Sequence, residues 1–357
     1  MTYKHVFPNS SSLTPDNRPG SKVSIITRTK NRPILLVRAI YSILSQTHED
    51  WQLIIINDGG DRIVLESLLR RFASAMKGRL HLVHHEVSKG MEAASNAGLK
   101  LAVGDFIAIH DDDDAWQPTF LERGIRYLNQ PEFKDNAAVA SNCTVIFEKI
   151  DGDTITETRR EAWANWKQQI DYKDLLCSNS FPPICLLVRK AVVDHLSGFN
   201  ENLPVLGDWD FNLRLIQLGD IGTINEPLAY YYRREPTSYH SVYNNSILES
   251  VSVHEEFNVK YRNSMMRAYA AKDPSAIGGM ITLLADLDSR EKRINDRINH
   301  LEWLIRGATH STQLDGSFSY ELQRAVQGIN TALRIPRAIW RRLYPVRHLI
   351  ARFRGRI

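Results

Sequence analysis

The chain has 357 residues, of which 43% are hydrophobic and 24% charged. That length predicts two domains, or one large domain with an appendage, and the composition excludes wholesale disorder, collagen-like and low-complexity architectures. Eight of the 45 basic residues and none of the 41 acidic ones fall in 331–357, so the tail carries +8 and the rest of the chain −4. The basicity belongs to the tail, and a nucleic-acid-binding body is not expected. Cys143, Cys177 and Cys185 form neither a CxxC pair nor a Cys/His zinc pattern, and read as three reduced, buried thiols of a cytoplasmic protein. Residues 1–21 are a polar, flexible segment without the apolar stretch of a secretion signal. No run of about 20 apolar residues predicts a membrane-spanning helix.

In chain order, residues 23–27 (VSIIT) predict a buried strand, and Pro33 opens a helical pattern over 33–45. Residues 51–57 (WQLIIIN) are a second apolar strand, closed by the turn Asp58-Gly59-Gly60. A helix over 62–76, a strand over 80–84, a helix over 90–102 and a strand over 105–110 (DFIAIH) follow, the last running straight into Asp111–Asp114. This β-α alternation predicts an α/β fold with a parallel sheet and helices on both faces. Ligands bind such sheets beyond the carboxyl ends of the strands, where residues 28–32, Asn57, Asp58 and Asp111–Asp114 should gather. Strands over 137–147, 184–188 and 228–233 are predicted beyond, with a helix over 208–218 capped by Gly219. The chain past 246 reads as mostly helical.

Four adjacent carboxylates repel one another and need a cation or strong hydrogen-bond donors. Hard oxygen ligands suit Mg²⁺ or Mn²⁺, commonly with substrate phosphates completing the shell. A solvated acidic loop is the plainer alternative, but the apolar strand before it and Trp116-Gln117-Pro118 after it make this loop look held. Asn57-Asp58-Gly59-Gly60 alone is also consistent with a simple turn. Asp208 and Asp210 open a helix, so each could be an N-cap or, for Asp208, a general base.

Taken in order, these segments resemble a family 2 glycosyltransferase of the GT-A, Rossmann-like nucleotide-sugar-binding fold, over about residues 22–240. VSIITRTKNRPILLVRAIYSILSQTHEDWQLIIINDGG is similar to the family's first strand, helix and second strand. GMEAASNAGLKLAVGDFIAIHDDDDAW resembles the helix and strand leading to its DxD motif. PPICLLVRKAVVDHLSGFNENLPVLGDWDFNLRLIQLG resembles its acceptor-side segment and catalytic helix. The resemblance implies Thr27, Arg28, Asn57 and Asp58 around the nucleotide. It implies Asp111 or Asp112 near the ribose and donor sugar, Asp113 as the main ligand of Mn²⁺ or Mg²⁺, and Asp208 as the catalytic base. This chain departs from the family's common residues at Asn57 (often Asp), Ser95 (often Arg), Gly207 (often Glu) and Glu235 (commonly His, for which His240 is a candidate substitute).

The expected activity is metal-dependent, inverting transfer of a sugar from a nucleotide-diphosphate sugar to a glycan or lipid-linked acceptor in surface polysaccharide synthesis. A nucleotidyltransferase would want a Gly-rich, Lys-containing phosphate loop, and residues 28–32 contain no glycine. A non-catalytic sugar-nucleotide-binding or scaffold module is the other alternative. The expected domains are a glycosyltransferase domain over 22–245, a helical extension over 246–330 and a basic amphipathic tail over 331–357. In the extension, Met280, Leu284, Leu287, Ile294, Ile298, Leu301 and Ile305 follow four-three spacing, giving either a homo-oligomer seam within 277–305 or a core-facing helix. The tail interleaves arginines with aliphatic and aromatic residues, as suits an anionic membrane surface at the inner face of the cell membrane.

Overall fold

The structure is a computed structural model that describes residues 20–234 except 153 and 165, residue 243, residues 251–272, and residues 285–300 except 286 and 288. The expected positions Glu235 and His240, and the tail 331–357, lie outside the described residues. The chain divides into two compact units, 1–261 and 262–357, so the first unit reaches past the expected limit at 245.

The first unit is built on one sheet. Strands β1 (Val23–Thr29), β2 (Trp51–Asp58), β3 (Leu80–His85) and β4 (Phe106–Ile109) are parallel in the order β3-β2-β1-β4. All eight residues of β2 are buried, which explains its continuous apolar run. Helices α1 (Pro33–Leu44), α2 (Arg62–Arg70) and α3 (Met91–Leu99) make the crossovers. Pro33 occupies the first turn of α1, where its missing N–H costs nothing. Gly98 lets α3 lie close on β1, since a Cβ there would sit 2.5 Å from Ile26.

The sheet continues through β5 (Ala115–Trp116), β6 (Ala138–Asp151), β7 (Thr154–Ala162), β8 (Leu186–Arg189) and β9 (Ile221–Arg234), in the overall order β3-β2-β1-β4-β8-β6-β9-β5 with β7 on β6. Helices α4 (Phe120–Leu128), α5 (Tyr172–Cys177), α6 (Lys190–Leu196) and α7 (Gly207–Leu215) pack around this mixed half. The helix Val251–Lys272 begins in the first unit, where Tyr261 is buried with Leu175, Trp209 and Leu213. In the second unit residues 289–300 are helical, and Ser289, Ile294 and Ile298 are its partly buried positions. Leu287 is exposed, and Met280, Leu284, Leu301 and Ile305 of the expected seam lie outside the described residues. Among the described residues no helix is long and apolar enough to cross a membrane.

Several expectations need correction. The helix predicted over 62–76 ends at Arg70, because Arg71, Phe72 and Ala73 donate their N–H to carbonyls three residues back and the chain continues as turns. Phe72 and Met76 stay buried at helical spacing, which is why the pattern looked longer. Gly219 caps no helix: α7 is closed at Ile216. Gly219 instead allows a close passage, since a Cβ there would lie 2.8 Å from the Asp135 carbonyl oxygen. The β6–β7 hairpin was not anticipated, because β7 is charged and almost wholly exposed and shows no alternation. Cys177 is exposed rather than buried, at the end of a helix whose buried residue is Leu175, whereas Cys143 and Cys185 are buried.

Candidate active site

The turn Asp111–Asp114 leaves β4 and enters β5. Trp116 anchors its far side: the indole donates to the Ile184 carbonyl at 2.7 Å, stacks on Phe120 and meets His110 edge-on. The loop is therefore held, as its flanks predicted. Its charge is compensated by guanidinium groups. Arg28 pairs with Asp111, and its other nitrogen donates to Ser95 Oγ at 3.2 Å. Arg32 lies 2.6 Å from Asp112 and 3.3 Å from Asp113. Arg234, at the end of β9, pairs with Asp113 and reaches Glu148 at 3.1 Å. Arg38 of α1 lies 2.6 Å from the same Glu148 and stacks on the Tyr232 ring. Four arginines thus lie on one acidic turn and one buried glutamate.

The pairing separates the four aspartates electrostatically. Burial alone would raise Asp113, but Arg32 and Arg234 hold it down at about 2. Burial lifts Asp112 to about 6 against the pull of Arg32. Asp114 is pushed well up by burial and by Asp113 and Asp111, and it accepts the Tyr232 N–H at 2.9 Å.

A cavity of about 390 Å³ opens beside the turn, lined by Arg28, Arg32, Glu92, Asp111, Asp113 and Asp208 among others. Trp163, Tyr231, Arg233, His254 and Asn258 form other parts of its wall. Asp208 arrives from the mixed half, 97 residues further along the chain than Asp111. It is the second residue of α7, whose N-cap is Leu206 in the left-handed region at φ 67°, with no side-chain cap. Asp208 is therefore not the N-cap. Its carboxylate accepts from Asn179 Nδ2 and from the Trp209 N–H, both at 2.8 Å. Burial pushes its pKa up, against the Trp209 hydrogen bond and the charge of Arg28. Asp210 faces away from this role: it pairs with Arg214 at 2.7 Å and accepts from Tyr261 Oη at 2.9 Å.

The structure brings Arg28, Asp111, Asp113 and Asp208 to one cavity, but the other expected residues are placed elsewhere. Asp112 is fully buried and turned onto Arg32, away from the cavity wall. Thr27 is fully buried, and its hydroxyl has no hydrogen-bond partner. Asn57 spans its own turn, bonding Gly60 at both ends and His84. Asp58 accepts from Ser88 Oγ, His85 Nδ1 and the Lys89 and Gly90 N–H groups at 2.6–3.1 Å. Those contacts use its acceptor sites to pin the loop that starts α3. Arg38, Glu148, Arg234, Asn179 and Glu92 were not singled out from the sequence, and Arg32 only as the end of the polar stretch 28–32. A buried glutamate in a strand and paired arginines at a strand end are weak signals until the fold joins them.

Among the described residues no three His, Cys, Asp or Glu side chains form a ready metal cage. A Mg²⁺-type ion needs only one or two carboxylates beside substrate phosphates. Asp111 and Asp113, both at the cavity wall, meet that requirement, with Arg28, Arg32 and Arg234 as competing counter-charges.

Comparison with known proteins gives three kinds of likeness. Residues 24–196 match the model of "Glycosyl transferase family 2". The uncharacterized glycosyltransferase YwdF of Bacillus subtilis (strain 168) is 29% identical over 195 residues, covering 54% of this chain and 67% of that one. A chain named for colanic acid biosynthesis in Escherichia coli (strain K12), the glycosyl transferase WcaA, is 34% identical over 108 residues, 30% of this chain and 38% of its own length. The crystal structure of S. aureus TarS 1–349 in complex with UDP matches with a TM-score of 0.48 and 16% identity, over 59% of this chain and 60% of that one. That last likeness is too remote to carry a function.

Proposed function

The chain being a family 2 glycosyltransferase with the GT-A architecture, we propose that it transfers a sugar from a nucleotide-diphosphate sugar to a hydroxyl acceptor with inversion, using Asp208 as base. The observation that carries this reading is the convergence of Asp208 with Asp111, Asp113, Arg28 and Arg32 on one cavity.

Departure of a nucleotide diphosphate leaves negative charge that must be neutralised. Arg28 and Arg32 bring fixed positive charge to that end of the cavity. A divalent ion, Mn²⁺ or Mg²⁺, held by Asp113 with Asp111 nearby, would supply the remaining neutralisation. Asp208 accepts the proton of the attacking hydroxyl. Its carboxylate is held by Asn179, and its burial favours taking up a proton. Thr27, Asn57, Asp58 and Asp112 then act behind the cavity wall, as supports of the nucleotide side.

The acceptor we propose is a glycan or lipid-linked sugar of surface polysaccharide synthesis. The WcaA relative's name supports this, as does the pattern of arginines and apolar residues in 331–357, which suits an anionic membrane surface. A homo-oligomer through 277–305 belongs to the same reading.

The test is release of free nucleoside diphosphate from nucleotide sugars in the presence of Mn²⁺. Asp208→Asn keeps the shape but cannot take the proton. Turnover at saturating substrate should fall by about 10²-fold or more, with nucleotide-sugar affinity nearly unchanged. Undiminished turnover would remove Asp208 from the chemistry, and no turnover by the wild type with any nucleotide sugar would overturn the reading.

A further inference from the structure

Glu92 sits in the first turn of α3, is only 5% exposed, and lines the same cavity as Asp208. Its place depends on a glycine in another element. A Cβ added to Gly207 would lie 1.8 Å from Glu92 Oε1 and 2.4 Å from its carboxyl carbon. The carboxyl group of Glu92 therefore fills the space that a side chain at 207 would occupy, against the backbone that presents Asp208.

Among the described residues no ion pair and no side-chain hydrogen bond is made to this carboxyl group. The neighbouring cation Arg28 directs its guanidinium to Asp111 and Ser95. Burial raises Glu92 to about 7: Arg28 pulls the other way, and Asp208 adds to the rise. A buried carboxylate whose only recorded hydrogen-bond donor among the described residues is its own backbone N–H is costly to keep. In the wall of a cavity it is completed by donors that arrive with a ligand.

We propose that Glu92 is a specificity-determining ligand of this site, its carboxylate accepting hydrogen bonds from ring hydroxyls of the sugar seated beside Asp208. This assignment rests on the glycosyl-transfer reading, which supplies a substrate rich in hydroxyl donors. The hydroxyls belong either to the transferred sugar or to the acceptor sugar, and the two sources are separable by kinetics.

The experiment compares the wild-type chain with Glu92→Gln, Gly207→Ala and the double variant Glu92→Ala/Gly207→Glu. The probes are UDP, GDP, UDP-glucose, UDP-N-acetylglucosamine and GDP-mannose, each with Mn²⁺, and then a sugar acceptor for whichever nucleotide sugar turns over. Glu92→Gln should leave affinity for the nucleoside diphosphate unchanged and raise the KM of one sugar substrate by about tenfold or more, as for loss of a hydrogen bond to a charged group. A rise for the nucleotide sugar assigns the transferred sugar, and a rise for the acceptor assigns the acceptor sugar. Gly207→Ala, which displaces the carboxyl group by its Cβ, should give the same loss. The double variant, which returns a carboxylate to that space from α7, should recover part of it, and a purely structural role would not. Unchanged KM values in Glu92→Gln overturn the assignment. So does a parallel loss of nucleoside diphosphate affinity, which means collapse of the whole site. If the wild type itself binds none of the probes, the glycosyl-transfer reading fails and takes the assignment with it.

Discussion

Strands β1 and β2 bury nearly every side chain around an apolar centre, Ile25 and Ile26 in β1 and residues 53–56 in β2, whereas β6 and β9, beyond β8, carry Glu148 and Arg234 into the interior at 1% and 3% side-chain exposure. The parallel half is assembled from strands joined by short crossover helices, in even register from Val23↔Trp51 to Thr29↔Asn57. Apart from the β6–β7 hairpin, the mixed half pairs strands distant in the chain, and the β6–β9 ladder shifts register at Ser141/Asn142 and Asn142/Cys143. The lesson is a division of labour. The apolar half makes a platform by removing area from water. The mixed half closes the platform with charges, which are costly to bury and so must meet their partners closely.

The largest test of that contrast is Arg234→Ala. Among the described residues it leaves Arg38 as the ion-pair partner of Glu148 and Arg32 as that of Asp113, both carboxylates being buried or nearly so. Loss of one member of a buried charge network should cost about 3–5 kcal/mol in denaturant unfolding. A cost below about 1 kcal/mol would mean that Arg32 and Arg38 suffice, and the division would fail.

Ile54→Ala is the matching lesion in the platform. Ile54 is fully buried in β2, and truncation should cost about 2–5 kcal/mol through lost burial and a cavity. The two lesions differ in salt response. The Arg234→Ala penalty should change with ionic strength more than the Ile54→Ala penalty, because only the former unbalances charge. Equal salt dependence of the two would blur the contrast.

The smallest effect concerns the seam between the halves, where Glu92 of α3 meets Gly207 of α7. Burial raises Glu92 from its ordinary 4.5 to about 7, so the folded chain keeps a proton that the unfolded chain has released. The resulting stabilisation is full below about pH 4.5 and is lost as pH rises through about 7, by at most about 3 kcal/mol. Urea midpoints of wild type and Glu92→Gln should therefore diverge across that window, with the variant holding its stability at the alkaline end. Parallel curves would mean that Glu92 is solvated.

The parallel half was legible in the sequence because its determinants are local. VSIIT, WQLIIIN and DFIAIH are buried strands wherever they are placed, and the helical spacing between them dictates crossovers. Asp111–Asp114 could be recognised as a constrained acidic turn from its flanks. Asp208 was pointed to by the resemblance of its segment to a catalytic helix, and the structure places it at the cavity that Asp111 and Asp113 line. The alternative that Asp208 caps the helix failed, since the helix starts one residue earlier than its pattern suggested and its N-cap is the left-handed Leu206.

By itself, then, the sequence determined the α/β platform, the order of its elements and the carboxylates at its edge. Only the tertiary structure decided which charges meet. The partners of Asp113 and Glu148 lie up to 121 residues away, and no periodicity records such a distance. It decided likewise that Asp58 pins a loop, that Asp112 turns inward, and that an absent side chain at Gly207 makes room for Glu92. The physical reason is the same in each case. Hydrophobic burial is non-directional and can be read from one segment, whereas a buried charge is tolerated only where a specific partner from another segment stands within hydrogen-bonding reach.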